Sequence, residues 1–327
     1  MPNARPPTLP RRGVLALAGA ALVEATLAAP ALASYPERAI RLVVGYAAGG
    51  GTDLTARAVA ARLGTELGQQ IVVENRGGGG GLPAIQSVLQ APADGYSVMF
   101  STAAVLVARA LGTPVGFDPL EALVPVGLVG VSPNVLVVHP SVPAHNLAEL
   151  QAYGRSRGEP LRFGSPSINF TTHLLGQELG IEVEEVRYRG TGPLMTDLLA
   201  GRLQGYLIPL PGIQAAIRAG ELRALAVSYR TPLPALPGVA TTVAQGFPNL
   251  IAFTWTGLEM RAGTPPEMVA RMGAALNLAL ADPALRRKLG EAGVEAAEST
   301  TPESFRALVL EDKARAEAVI RRFNLRD

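Results

Sequence analysis

Short apolar runs alternate with helically spaced stretches along most of the chain. Residues 40–44, Ile-Arg-Leu-Val-Val, have the length and β-branching of a buried strand. Residues 54–67 carry apolar positions at helical spacing, with Leu54, Ala58, Ala61 and Leu63 expected to face inward. Further strands are expected at 71–74, 96–101, 124–131, 134–139, 161–164, 184–188, 203–208 and 222–228, and an apolar run around Trp255 spans 251–258. Helices are expected at 84–90, 147–157 with Asn146 as N-cap, 171–179, 192–200 and 211–219, with a short one at 239–245. Residues 266–280, 283–292 and 302–323 each open on a proline and close the chain as helices. The βα alternation predicts an α/β fold with mainly parallel sheets and ligand loops at the carboxyl ends of the strands. Breaks near 132–134 and 248–250 divide it into residues 34–133 plus 251–327 and residues 134–250. Two crossings between these parts predict a hinged pair of lobes around a cleft.

The loop between the first strand and the first helix reads Gly45-Tyr46-Ala47-Ala48-Gly49-Gly50-Gly51-Thr52-Asp53. Three glycines at a helix start leave backbone N–H groups open to an anion, and the positive end of the helix favours one. The loop has no lysine, cysteine, histidine or serine to carry out a reaction. No GxGxxG pattern is present, so a dinucleotide is not indicated. Asp53 reads first as a residue that caps the helix or orders the loop, because a carboxylate facing an anionic ligand would repel it; the alternative is a contact with an ammonium or hydroxyl of the ligand. The second glycine run, residues 77–81, reads as a structural turn, with a hinge or an anion nest as alternatives.

The amino terminus changes the compartment. Arg11 and Arg12 precede ten uncharged residues, 14–23, and Ala31-Leu32-Ala33 offers a small-x-small cleavage pattern before Ser34. Glu24 interrupts the apolar run well before the roughly 20 residues a membrane span needs. Residues 1–33 are therefore expected to be a cleavable signal peptide that directs the protein to the periplasm, by either the general secretory or the twin-arginine route. Three of the 29 basic and one of the 27 acidic side chains leave with it, so the mature chain is formally neutral. Neutrality argues against nucleic acid as a partner. With no cysteine, thiolate catalysis and disulfides are excluded. The three histidines, His139, His145 and His173, are not at metal-ligand spacing, and no cofactor is expected.

Five segments together resemble the extracytoplasmic solute receptors of the tripartite tricarboxylate transporters, the Bug receptors. They are Tyr35-Pro36 with residues 41–53; Val73-Glu74-Asn75-Arg76 before the glycine run; and Ala93-Asp94-Gly95-Tyr96. The fourth comprises residues 186–192, 197–201 and 219–227, and the fifth is Trp255-Thr256-Gly257-Leu258 with Ala262-Gly263-Thr264-Pro265. The resemblance implies a type II periplasmic-binding-protein fold whose two lobes close on a carboxylated solute, a monomer that delivers it to a membrane permease or a sensor. It also implies binding residues: Tyr46, Ala47, Ala48, Gly49, Gly50 and Asp53, then Ser101, Thr102 and Ala103, from the first lobe. From the second come Ser165, Asn169, Thr171 and Thr172, followed by Arg189, Gly190 and Thr191. The chain departs from the family at Gln204-Gly205-Tyr206, where an acidic residue is usual, and at Ile208-Pro209, where a polar residue often faces the cleft. Both departures make the expected cleft more apolar and open the ligand class to aromatic or amide-bearing acids.

Each of these residues also has an ordinary structural role open to it. Ser165, Asn169, Thr171 and Thr172 precede a helix and could cap it. Arg189 could grip a carboxylate bidentately or sit in an ion pair. His173 is expected in a structural hydrogen bond and Trp255 in the core. Three functions compete. A non-enzymatic receptor leads. An exported hydrolase would need an oriented nucleophile, and no GxSxG or SxxK pattern is present. The effector half of a transcription regulator would lack its DNA-binding helices here.

Overall fold

The computed structural model describes residues 35–78, 81–104, 106, 116–165, 170–188, 191–210 and 213–323. In the amino-terminal part, β1 (Ile40–Val44) leads into α1 (Gly51–Leu67), β2 (Ile71–Asn75), α2 (Leu82–Gln90) and β3 (Ser97–Thr102). A single turn, α3 (Pro119–Ala122), is capped by Asp118 and opens β4 (Leu123–Val138). Next come α4 (Leu147–Ser156), β5 (Leu161–Ser165), α5 (Phe170–Leu179), β6 (Val183–Arg187), α6 (Thr191–Leu199), β7 (Gly205–Pro209), α7 (Gln214–Arg218) and β8 (Arg223–Ser228). The chain closes with β9 (Phe253–Arg261), α8 (Pro266–Ala281), α9 (Pro283–Glu291), β10 (Glu295–Ala296) and α10 (Pro302–Phe323). Among the described residues no helix is long and apolar enough to cross a membrane.

The strand order β2-β1-β3-β9-β4-β7-β5-β6, with β8 and β10 also on β4, has two halves that share β4. Outer strands pair in parallel, β1 with β2 and β3, and β5 with β6 and β7. The inner pairings with β9 and β4 are antiparallel. The sequence pattern predicts two strands interrupted at Ser132-Pro133; the structure has one strand of 16 residues. Proline is tolerated there because β4 changes partners at that point, leaving β9 after Pro133 and meeting β7 and β8 from Asn134 onward. The predicted helix at 239–245 is instead a turn, held by a bridge between Val227 and Thr241.

From Val135 to Val138, alternate residues feed opposite cores. Leu136 and Val138 join Leu161, Phe163 and Leu175 on one face, while Val135 and Val137 join Leu194, Leu198 and Tyr206 on the other. Each such fully buried side chain stabilises the fold by roughly 1.5–3 kcal/mol, taken as an upper bound against an extended chain. Helices on both faces account for the uninterrupted apolar runs in the sequence. In the amino-terminal half the core holds Val43, Val88, Met99, Trp255 and Phe305. Trp255 meets Phe305 edge-to-face at 5.2 Å and donates through Nε1 to Asp312 Oδ2 at 3.0 Å, so its expected core role is met with its polar edge satisfied.

Gly257 makes that packing fit. A β-carbon there would lie 2.9 Å from Phe305 Cε2 and nearer still to Cε1 and Cζ. Gly257→Ala is therefore expected to destabilise the protein by about 1–3 kcal/mol, read as a lower urea midpoint at unchanged slope.

Candidate functional site

The first helix starts where the two halves meet. α1 has Gly50 as its N-cap in extended conformation and no side-chain cap. Its start is ordered from the third helical position instead: Asp53, 1% exposed, accepts the Gly49 N–H at 2.8 Å through Oδ2. Gly49 takes a φ of +82°, which glycine adopts without strain. Arg57 Nε donates to the same Asp53 oxygen at 3.0 Å, and Asn75 Nδ2 donates to Oδ1 at 2.9 Å. Asn75 also donates to the Tyr46 carbonyl at 3.1 Å and accepts from Arg57 at 3.1 Å. Burial pushes the Asp53 carboxyl up, but the bonds from Arg57, Gly49 and Asn75 outweigh it and hold the group below its ordinary range. Its expected role of ordering the loop is the one its contacts describe.

Of the residues expected to face inward on α1, Leu63 is buried and Ala58 half-buried, but Leu54 and Ala61 are exposed. Thr55, Ala56, Val59, Ala60, Leu63 and Leu67 are buried, while Leu54 is 57% exposed. The helix is rotated from the predicted orientation because Asp53, not an apolar residue, is its first buried anchor. That rotation turns Gly51, Thr52 and Thr55 toward a cleft of about 610 Å³.

Across the cleft stand Thr191, Tyr206, Ile208 and Pro209. Its floor is the inner strands: Thr102 of β3 opposite Thr256 of β9, and Ser132 of β4 opposite Thr254 of β9. Tyr46 closes one side, its hydroxyl 3.0 Å from Thr102 Oγ1, and Val294 another. Burial raises the Tyr46 and Tyr206 phenols above their ordinary range, against smaller opposing effects of their bonds to Thr102 and Thr191. Both are neutral hydroxyls at neutral pH. Among the described lining residues there is no basic side chain, no carboxylate and no histidine. An anion there would meet hydroxyls and the N–H groups at the start of α1, ahead of Leu54, whose N–H donates to the Gly50 carbonyl.

Of the residues named from the sequence, Tyr46, Thr102 and Thr191 line this cleft together. Ala47, Ala48, Gly49 and Gly50 form the exposed turn before α1. The Gly50 N–H points to the Ala47 carbonyl at 3.4 Å and that of Gly49 is used by Asp53. The expected three open glycine amides thus narrow to Gly51 and the residues after it. Ser101 lies on the other face of β3 from Thr102, where its hydroxyl donates to Glu259. Ala103 is buried in the core, as are Ser165 at the end of β5 and Thr171 and Thr172 in the first turn of α5. Asn169, Arg189 and Gly190 lie outside the described residues. Ser132, Thr254 and Thr256 are not among the binding residues expected from the sequence. Hydroxyl residues two apart within an apolar strand were the available signal, since such a pair shares one face.

Two α/β halves joined by shared strands, with a polar cleft at the junction, define a bilobal solute-binding protein of the type II periplasmic kind. The model of the tripartite tricarboxylate transporter family receptor matches residues 55–325, and the chain belongs to that family. Protein BugT of Bordetella pertussis (strain Tohama I) is 31% identical over 315 residues, covering 94% of this chain and 96% of that protein. Among solved structures, R. palustris Rpa4515 with adipate is 32% identical with a TM-score of 0.78, covering 88% of this chain and 97% of that one. MatC (Rpa3494) from Rhodopseudomonas palustris with bound malate is 29% identical with a TM-score of 0.73, covering 88% of this chain and 100% of that one.

Proposed function

We propose that this protein is a periplasmic receptor that captures a small carboxylate between its two lobes and delivers it to a membrane permease or a sensor. The observation that carries the reading is the cleft itself: about 610 Å³, lined from both halves by hydroxyls and the start of α1, with no nucleophile and base side by side among the described lining residues. Several donors converging on a carboxylate offset its desolvation, each charged hydrogen bond contributing about 1.5–3 kcal/mol. Malate and adipate in two of the similar structures support the ligand class. The hydrolase reading finds no histidine, lysine or carboxylate among the described lining residues.

Lobe one comprises residues 34–133 and 251–327, and lobe two residues 134–250. Support for these bounds is the change of partner along β4 between Pro133 and Asn134. Residues 1–33 act as the export signal, and the mature receptor works as a monomer. Tyr46, Thr102 and Thr191 contact the ligand, and Arg189, two residues before Thr191, adds a guanidinium partner for its charge. Closure follows binding because only the closed form brings donors from both lobes to one ligand.

A thermal-shift screen of the mature protein against mono-, di-, tri- and aromatic carboxylates tests this. A ligand at a hundredfold excess over its dissociation constant should add about 2.7 kcal/mol of stability and be recovered unchanged. A screen without any shift, or a ligand returned hydrolysed, would reject it.

A further inference from the structure

Thr256 stands out among the cleft hydroxyls because its oxygen is both buried and unpaired. It lies on β9, paired with Thr102 of β3 on one side and Gly130 of β4 on the other. It lines the cleft, yet the residue is only 6% exposed. Its Oγ1 is buried and makes no hydrogen bond. Several neighbouring hydroxyls are engaged: Thr55 donates to the Gly51 carbonyl at 2.8 Å, Tyr46 and Thr102 share one bond, and Thr191 is bonded to Tyr206.

A buried hydroxyl without a partner destabilises the protein that contains it, and folded proteins hold few. Valine has nearly the same shape and would carry no such cost, so packing alone does not account for threonine here. A buried polar group left unsatisfied in a folded protein therefore calls for a functional account. A threonine hydroxyl can donate to a carboxylate or carbonyl oxygen and accept from a hydroxyl.

We propose that Thr256 is a specificity-determining residue, its hydroxyl reserved for a second oxygen-bearing group of the bound acid. The inference rests on the carboxylate reading above and narrows it. One carboxylate sits at Gly51 and Thr52, where α1 begins. A second carboxylate, hydroxyl or keto oxygen reaches Thr256 on the strand floor. Ile208, Pro209 and Val294 cover the carbon chain between them. Simple monocarboxylates leave Thr256 unpaired and bind weakly.

The test compares wild type, Thr256→Val and Thr256→Ser by thermal melting and calorimetric titration. The probes are succinate, malate and adipate, with butyrate and hexanoate as matched acids lacking the second group. Without added acid, Thr256→Val should melt at or above the wild-type temperature. It should bind the strongest of the three two-ended acids about tenfold more weakly, with monocarboxylate binding unchanged; Thr256→Ser should stay within about threefold of wild type. Equal affinity of Thr256→Val and wild type for that acid would overturn the proposal. So would equal weakening for both kinds of acid, or a ligand-free melting point several degrees lower. If wild type binds none of the probes, the inference of a two-ended acid falls before any variant is compared, while the wider carboxylate screen decides the carboxylate reading separately.

Discussion

Raising the pH from about 5 to about 9 is expected to lower the unfolding free energy by roughly 3 kcal/mol through one side chain, Glu259. Glu259 lies on β9, buried, opposite Met99 of β3, and its only described partner is the Ser101 hydroxyl. Burial raises its carboxyl from 4.5 to about 7, against a smaller lowering by the Ser101 bond. Between those two values the native protein holds a proton that the unfolded chain has released. Rising pH therefore favours unfolding, starting near the unfolded value and ending above the folded one. The stability is fully present below pH 4.5 as far as this group is concerned, and lost as pH passes through about 7. Glu259→Gln keeps the shape and removes the proton, so it should flatten the profile. Urea unfolding of both proteins at pH 5, 7 and 9 measures this; an identical slope in the variant would assign the effect elsewhere.

Asp53→Asn should cost about 2–4 kcal/mol and weaken ligand binding by tenfold or more, because it damages the start of α1 rather than the cleft wall. Oδ2 of Asp53 accepts from Gly49 N–H and Arg57 Nε at once. An amide nitrogen in that place would face two donors with a third. If the amide turned over, it would present that nitrogen to Asn75 Nδ2 instead. Arg57 is half exposed and recovers part of its loss from water, which keeps the estimate below that for a fully buried ion pair. The wild-type contribution is present above the unfolded carboxylate range and is lost as pH falls through the depressed folded value. That is the opposite direction to Glu259, so the two groups define the acidic and alkaline flanks of one stability profile. Chemical unfolding together with titration of the best acid from the screen checks the prediction. Unchanged affinity in a destabilised variant would separate the Asp53 network from the binding site.

Much of the architecture was legible along the chain, since it rests on local chemistry. α10 begins at Pro302 and ends at Phe323 as the spacing predicts, and Asn146 caps α4 by accepting from the Glu149 N–H. The break near residues 132–134 marks where β4 changes partner, although no loop is present there. Tyr46, Thr102 and Thr191, named through the family resemblance, line the cleft, as do Ile208 and Pro209, expected as a more apolar wall. What escaped the reading depends on facing. Ser101 and Thr102 are neighbours on one strand, and pairing with β9 sends the first to Glu259 and the second to the cleft. Likewise, α1 is turned by the Asp53 anchor, which depends on Asn75 arriving from β2.

From its order of residues alone this protein was committed to a glycine-rich strand-to-helix loop, to alternating strands and helices, and to a Thr-Trp-Thr run inside an apolar strand. Those follow from propensity and spacing, which act over a few residues. The tertiary structure decided which side of each strand meets the cleft, which amides stay open, and that Thr256 is left without a partner while Thr102 is not. Such outcomes depend on contacts between segments far apart in the chain, and a one-residue change in pairing would reverse them.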